Sequence, residues 1–166
     1  RSRGLGDVYK RQQKSALCTH SHPEGVKGAQ VIAGCGYLAK NGASKKEIKS
    51  YVQKKFGYSL NKRLSFYRVF SRFDMSCQKS VPLALQCFLE SDSWEECIRN
   101  VFSVRCDTDT IGAIAGGIAD AYFHGTGFDE DALLRQFLIK PNKFGAMDPF
   151  LYQWAIAKQE ESGEPS

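Results

Sequence analysis

Apolar residues recur at helical spacing through most of the chain, and no stretch alternates as a half-buried strand would. In "HPEGVKGAQVIAGCGYLAKNG", Val26, Ala29, Ile32, Ala33, Gly36 and Tyr37 fall on one helical face. Pro23 suits a first turn, Glu24 lies beside the positive helix end, and Asn41-Gly42 supplies a stop. "SKKEIKSYVQKKFG" opens with a capping box from Ser44 to Glu47. Its Ile48, Tyr51, Val52 and Phe56 form a stripe, with lysines on the solvated face and Gly57 closing the helix.

From Tyr58 to Lys79 the period fades, which predicts a long ordered loop. "SVPLALQCFLES" reads as a buried helix with Pro82 in its first turn. "SWEECIRNVFSVR" begins with a second capping box, Ser93 to Glu96, and turns Trp94, Cys97, Ile98, Val101 and Phe102 inward. After Thr108 the run Ile111, Ile114, Ala115, Ile118, Ala119 and Tyr122 marks another buried face. Gly112 and Gly116, four residues apart, would let a neighbouring element come close on one side of it. "DEDALLRQFL" and "DPFLYQWAIAKQ" predict two more helices, the last begun by Asp148 and Pro149. The fold class is all-α, a multi-helix bundle.

Composition alters this picture at the chain's start. "RSRGLGDVYKRQ" shows no helical or strand period, and its "DVYKRQ" resembles a translated sequencing-library adapter. Residues 1–12 are therefore set apart as a non-native segment, with residues 13–160 as one helical domain and residues 161–166 as a frayed tail. The set-apart residues supply +3 of the formal net +5, leaving +2 for the rest. So weak an excess gives no support to a nucleic-acid surface. The longest weakly polar run, Ile111 to Ala119, is too short to span a bilayer, and no membrane partner is expected. Six scattered cysteines without a C-x-x-C pair read as reduced, buried thiols in a cytoplasmic protein.

The candidate chemistry lies in "RCDTDTIGAIAGGIADAYFHG". A single acidic residue suffices to cap a helix, which is worth about 1 kcal/mol. Asp107-Thr108-Asp109-Thr110 offers two carboxylates and two hydroxyls, the hard oxygens that Mg²⁺ takes. Position twelve counted from Asp107 is Ile118, which excludes an EF-hand loop. Local chemistry leaves a cap and a metal site about equally supported.

"DTDTIGAIAGGIADAYFHG", "THSHPEGVKGAQ", "CQKSVPLALQCFLES" and "IRNVFSV" resemble, in order, the C-terminal motifs of the ADP-ribosylglycohydrolase family. The resemblance runs from about Leu17 to Phe137. It implies an all-α enzyme with two Mg²⁺ ions, or Mn²⁺, that hydrolyses the bond between ADP-ribose and a protein side chain or related acceptor. It implies Asp107, Asp109 and Thr110 as metal ligands, with Asp109 bridging the ions, and His20 as a contact to bound ADP-ribose. Arg105 and Cys106 stand where the family usually has two glycines.

The family's remaining ligands belong to an upstream Thr-Asp-Asp-type motif, and its diphosphate-binding loops also precede the histidine turn. Neither occurs before Leu17, so the resemblance implies a fragment that is inactive alone. Two other readings stay open. A non-catalytic ADP-ribose-binding or helical interaction protein would use the same fold. A zinc hydrolase would draw on Cys18, His20 and His22, although an H-x-H pair usually needs a strand to aim both rings.

Overall fold

The computed structural model describes residues 4–17, 22–70, 76–129 and 132. Among these are seven helices and no strand: α1 (Leu5–Leu17), α2 (Pro23–Lys40), α3 (Lys45–Phe56), α4 (Leu64–Phe70), α5 (Cys77–Leu89), α6 (Trp94–Phe102) and α7 (Thr108–Phe123). The protein is all-helical. The chain divides into two compact units, Arg1–Thr126 and Gly127–Ser166. Of the second, Asp129 Oδ1 accepts the Ala132 amide at 3.0 Å. The two helices expected beyond Phe128 lie almost wholly outside the described residues.

In the first unit, α2, α5 and α6 pack on α7. The α5 helix is buried from Ser80 to Phe88 on every side, as expected of a helix without a polar face. It begins three residues before the expected start, so Pro82 lies inside the helix rather than in its first turn. Lacking an amide hydrogen, Pro82 leaves the Gln78 carbonyl without its usual i+4 donor.

Three sequence readings change. The face chosen for α2 is half-buried, whereas the residues in the core are Val26, Gly28, Val31, Gly34, Cys35 and Ala39. Apolar and small residues surround this helix, so its period could not select a face. Gly28 lies against Val81 and Cys77, and Gly34 against Tyr51, where side chains would block the approach. Second, residues 64–70 form a helix within the expected loop. Glu90 Oε1 holds its start by accepting the Leu64 amide at 2.8 Å. Third, Phe102 is 72% exposed and Asn100 takes the inward place. The Asn100 amide donates to the carbonyls of Cys87 and Glu90, at 3.3 and 3.2 Å, and its Oδ1 accepts from Arg68 at 3.1 Å. A buried amide with three partners satisfies the end of α5 better than a phenyl ring would.

Helix α1 covers most of the stretch that showed no period. It lies along α2, with Tyr9 edge-on to Phe56 at 6.1 Å and its hydroxyl meeting that of Tyr51. The first capping box forms in full. Ser44 Oγ accepts the Glu47 amide at 3.3 Å, and Glu47 Oε2 accepts the Ser44 amide at 2.8 Å. The second forms in half: Ser93 Oγ accepts the Glu96 amide, but the Glu96 carboxylate accepts from Asp92 N instead. Lys45 fastens the start of α3 to the turn after α5 by donating to the Ser91 carbonyl. Its ammonium lies 5.3–5.6 Å from the rings of Phe88, Tyr122 and Phe123.

Candidate functional site

Helix α7 begins at Thr108 with Asp107 as its N-cap residue, yet the Asp107 side chain makes no capping bond. Its Oδ2 instead accepts the Thr110 hydroxyl at 2.9 Å. Asp109 Oδ1 accepts the Thr110 amide at 2.7 Å. Thr108 turns back, its hydroxyl donating to the Cys106 carbonyl at 3.4 Å. Four successive residues thus brace one another, and the oxygens of Asp107, Asp109 and Thr110 gather at the positive end of α7. Asp109 and Thr110 are exposed and Asp107 half-buried, so this oxygen cluster faces solvent.

The two carboxylates are close enough to share a hydrogen bond. That bond with Asp109 holds the Asp107 carboxyl above the usual carboxylate range, while the Thr110 hydroxyl pulls it the other way. Asp109 is held below the range, first by accepting from Asp107 and then by the Thr110 amide. Without a cation, two adjacent carboxylates hold one proton between them. The donor set of two carboxylates and a hydroxyl fits a hard divalent cation, as one part of a coordination shell. Among the described residues, no three His, Cys, Asp or Glu side chains form a metal cage.

Arg105 and Cys106 need no glycine geometry here. Among the described non-glycine residues only His124 has a positive φ, so the turn before the aspartates runs through ordinary backbone. Cys106 Sγ lies 3.7 Å from the Val101 carbonyl, which ties that turn to the end of α6. Behind the aspartates, the Trp94 indole donates to the Gly116 carbonyl at 3.1 Å. A Cβ on Gly116 would stand 3.2 Å from Ile98 Cδ1. Close approach therefore occurs at Gly116, whereas Gly112 and Gly117 have no neighbour within 4 Å.

The histidine turn is only partly described. His20 and Cys18 lie outside the described residues. His22 is exposed, and its Nδ1 accepts the Glu24 amide at 3.3 Å as the N-cap of α2. The described cysteines are all free thiols. Burial pushes Cys35 up to about 12 and Cys97 up to about 11, and raises Cys87 further, so the core thiols stay protonated. No described helix is long and apolar enough to cross a membrane.

Sequence reasoning missed a cavity of about 690 Å³ between the start of α2, the 57–62 loop, α4 and the start of α5. It reaches Cys106, next to the aspartates, and its walls combine lysines with aromatic rings. No motif marks it, because its residues come from four separate segments. The lysines and aromatics of 58–70 were the available signal, and the loop reading of that stretch hid it.

The family model described as ADP-ribosylglycohydrolase matches residues 4–136. No curated protein and no solved structure matches the chain.

Proposed function

The chain belongs to the ADP-ribosylglycohydrolase family, and on that footing we propose that it serves a Mg²⁺-dependent hydrolase that removes ADP-ribose from a modified protein side chain or related acceptor. Membership supports a glycohydrolase-type function in general. The observation that carries the finer reading is the uncapped Asp107, whose carboxylate meets Asp109 and Thr110 instead of the amides of α7. A helix cap alone would not bring these oxygens together.

Asp107, Asp109 and Thr110 would hold a divalent ion, Mg²⁺ or Mn²⁺, with Asp109 placed to share a second. When bound, such ions polarise a coordinated water and neutralise charge developing at the leaving oxygen. The chain's own part is to keep the ligands in place before substrate arrives. Thr110 fixes the Asp107 rotamer, and Thr108 fixes the turn through the Cys106 carbonyl. His20 contributes a contact to the ADP-ribose. The two-ion site is completed by a Thr-Asp-Asp-type motif not found in these residues, so this polypeptide alone is inactive or nearly so. Its thiols place it in a reducing compartment, the cytoplasm.

The test uses the product of the complete reading frame from the source. It should release ADP-ribose from an ADP-ribosylated protein only with Mg²⁺ or Mn²⁺, and Asp109→Ala should abolish release. Unchanged turnover in that variant overturns the ligand assignment. Release that needs zinc and is lost with His20→Ala, with Mg²⁺ irrelevant, favours the zinc reading instead. Binding of ADP-ribose without release identifies a non-catalytic member.

A further inference from the structure

The 690 Å³ cavity has the size of a small-molecule site and a lining the aspartate turn does not explain. Its charged residues are Lys27, Lys62 and Lys79 against Glu24 alone, an excess of two positive charges. Lys27 answers Glu24 at 3.8 Å. Lys27 and Lys62 also rest on ring faces, 4.6 Å above Tyr58 and 4.5 Å above Phe66.

The aromatic residues are unusual in two ways. Phe66 and Phe70, whose centroids are 4.8 Å apart, are 40% and 65% exposed although apolar. Tyr58 is the opposite. It is 7% exposed, lines the cavity, and its buried hydroxyl has no hydrogen-bond partner. Burial, first, then the charge of Glu24 push that phenol up to about 12, so it remains a donor at neutral pH. A buried donor without a partner costs stability, and a ligand acceptor would relieve the cost.

From these observations we infer that the cavity binds a planar aromatic ligand bearing a doubly charged phosphate, of which a nucleoside monophosphate is the simplest example. The phosphate would pair with Lys27 and Lys62. Drawing Lys27 off the ring would bring an acceptor to the Tyr58 hydroxyl. The base would stack on the exposed faces of Phe66 and Phe70, as bases do on aromatic platforms. No aspartate lines the cavity, so the inference stands apart from the metal reading.

Calorimetric titration of the full chain in EDTA separates the two, because ion binding is silenced. AMP should bind at least about tenfold more tightly than adenosine or inorganic phosphate, since only AMP engages both the lysines and the rings. Lys62→Glu should weaken AMP by about tenfold or more while leaving the thermal midpoint within about 2 °C. Tyr58→Phe should weaken AMP while the unliganded protein becomes more stable. Inorganic phosphate binding as well as AMP would reduce the site to a plain anion patch and overturn the inference. So would AMP binding that is absent, or undiminished in a folded Lys62→Glu variant.

Discussion

The Thr110 hydroxyl donates to Asp107 Oδ2 at 2.9 Å, one turn along the same helix. Asp107 is thereby engaged by a side chain and not by the amides it would cap. Replacing it should accordingly cost little stability. Asp107→Asn is expected to shift the thermal midpoint by no more than about 2 °C, as ordinary surface changes do. Mg²⁺ binding to the complete protein should weaken by about tenfold or more, read by calorimetry. A large loss of stability would return Asp107 to the role of a cap.

The Ser44–Glu47 box gives α3 a pH dependence. Hydrogen bonds from Ser44, side chain first and then backbone, lower the Glu47 carboxyl below its usual range. A folded value below the unfolded one adds stability that is complete above the ordinary carboxylate range. That stability is lost as pH falls through the lowered value. In urea unfolding, Glu47→Ala should be less stable than the parent at pH 7, and the two should converge as pH drops towards 3. A gap that stays constant across that interval would contradict the assignment.

Two glycines should respond to alanine in opposite directions. Gly117 is exposed within α7 with no neighbour within 4 Å. Gly117→Ala should stabilise by about 0.5–1 kcal/mol through helix propensity. Gly34 is buried and a Cβ there would run into the Tyr51 hydroxyl and ring. Gly34→Ala should destabilise by about 1–3 kcal/mol, the usual cost of overpacking. Denaturant midpoints of the two variants would settle the pair.

Tyr58→Phe removes a buried hydroxyl that has no partner. The unliganded protein should gain about 1 kcal/mol, a midpoint rise of about 2–4 °C by scanning calorimetry. A loss instead would mean that the hydroxyl is paired in solution.

Much of this was legible because helix ends announce themselves. Ser44 with Glu47, Pro23 after His22, and Asn41-Gly42 set boundaries through local backbone chemistry, and those helices form. The buried face of α7 was equally readable, with Ile111, Ala115, Ile118 and Ala119 all in the core. Faces failed where local pattern carries no direction. The α2 helix is apolar or small on most sides, so only its contacts with Val81 and Tyr51 choose Gly28 and Gly34. Asn100 and Phe102 exchanged places because hydrogen bonds to Cys87 and Glu90, distant in sequence, outweigh the apolar period. The short α4 escaped notice for a related reason: the carboxylate that holds its start belongs to Glu90, 26 residues on. At the aspartates, sequence could name the oxygens but not decide their use. That decision depends on rotamers, which the Thr110 hydroxyl sets.

The bond from the Trp94 indole to the Gly116 carbonyl gives the protein a built-in optical gauge. An indole whose N–H is held by a helix backbone emits differently once that bond opens to water. Trp94 fluorescence thus reports whether α7, the helix that carries the aspartates, is seated against α6. With Trp154 replaced by Phe, a single emission band would follow that seating during unfolding, ion titration or ligand addition, without any attached dye.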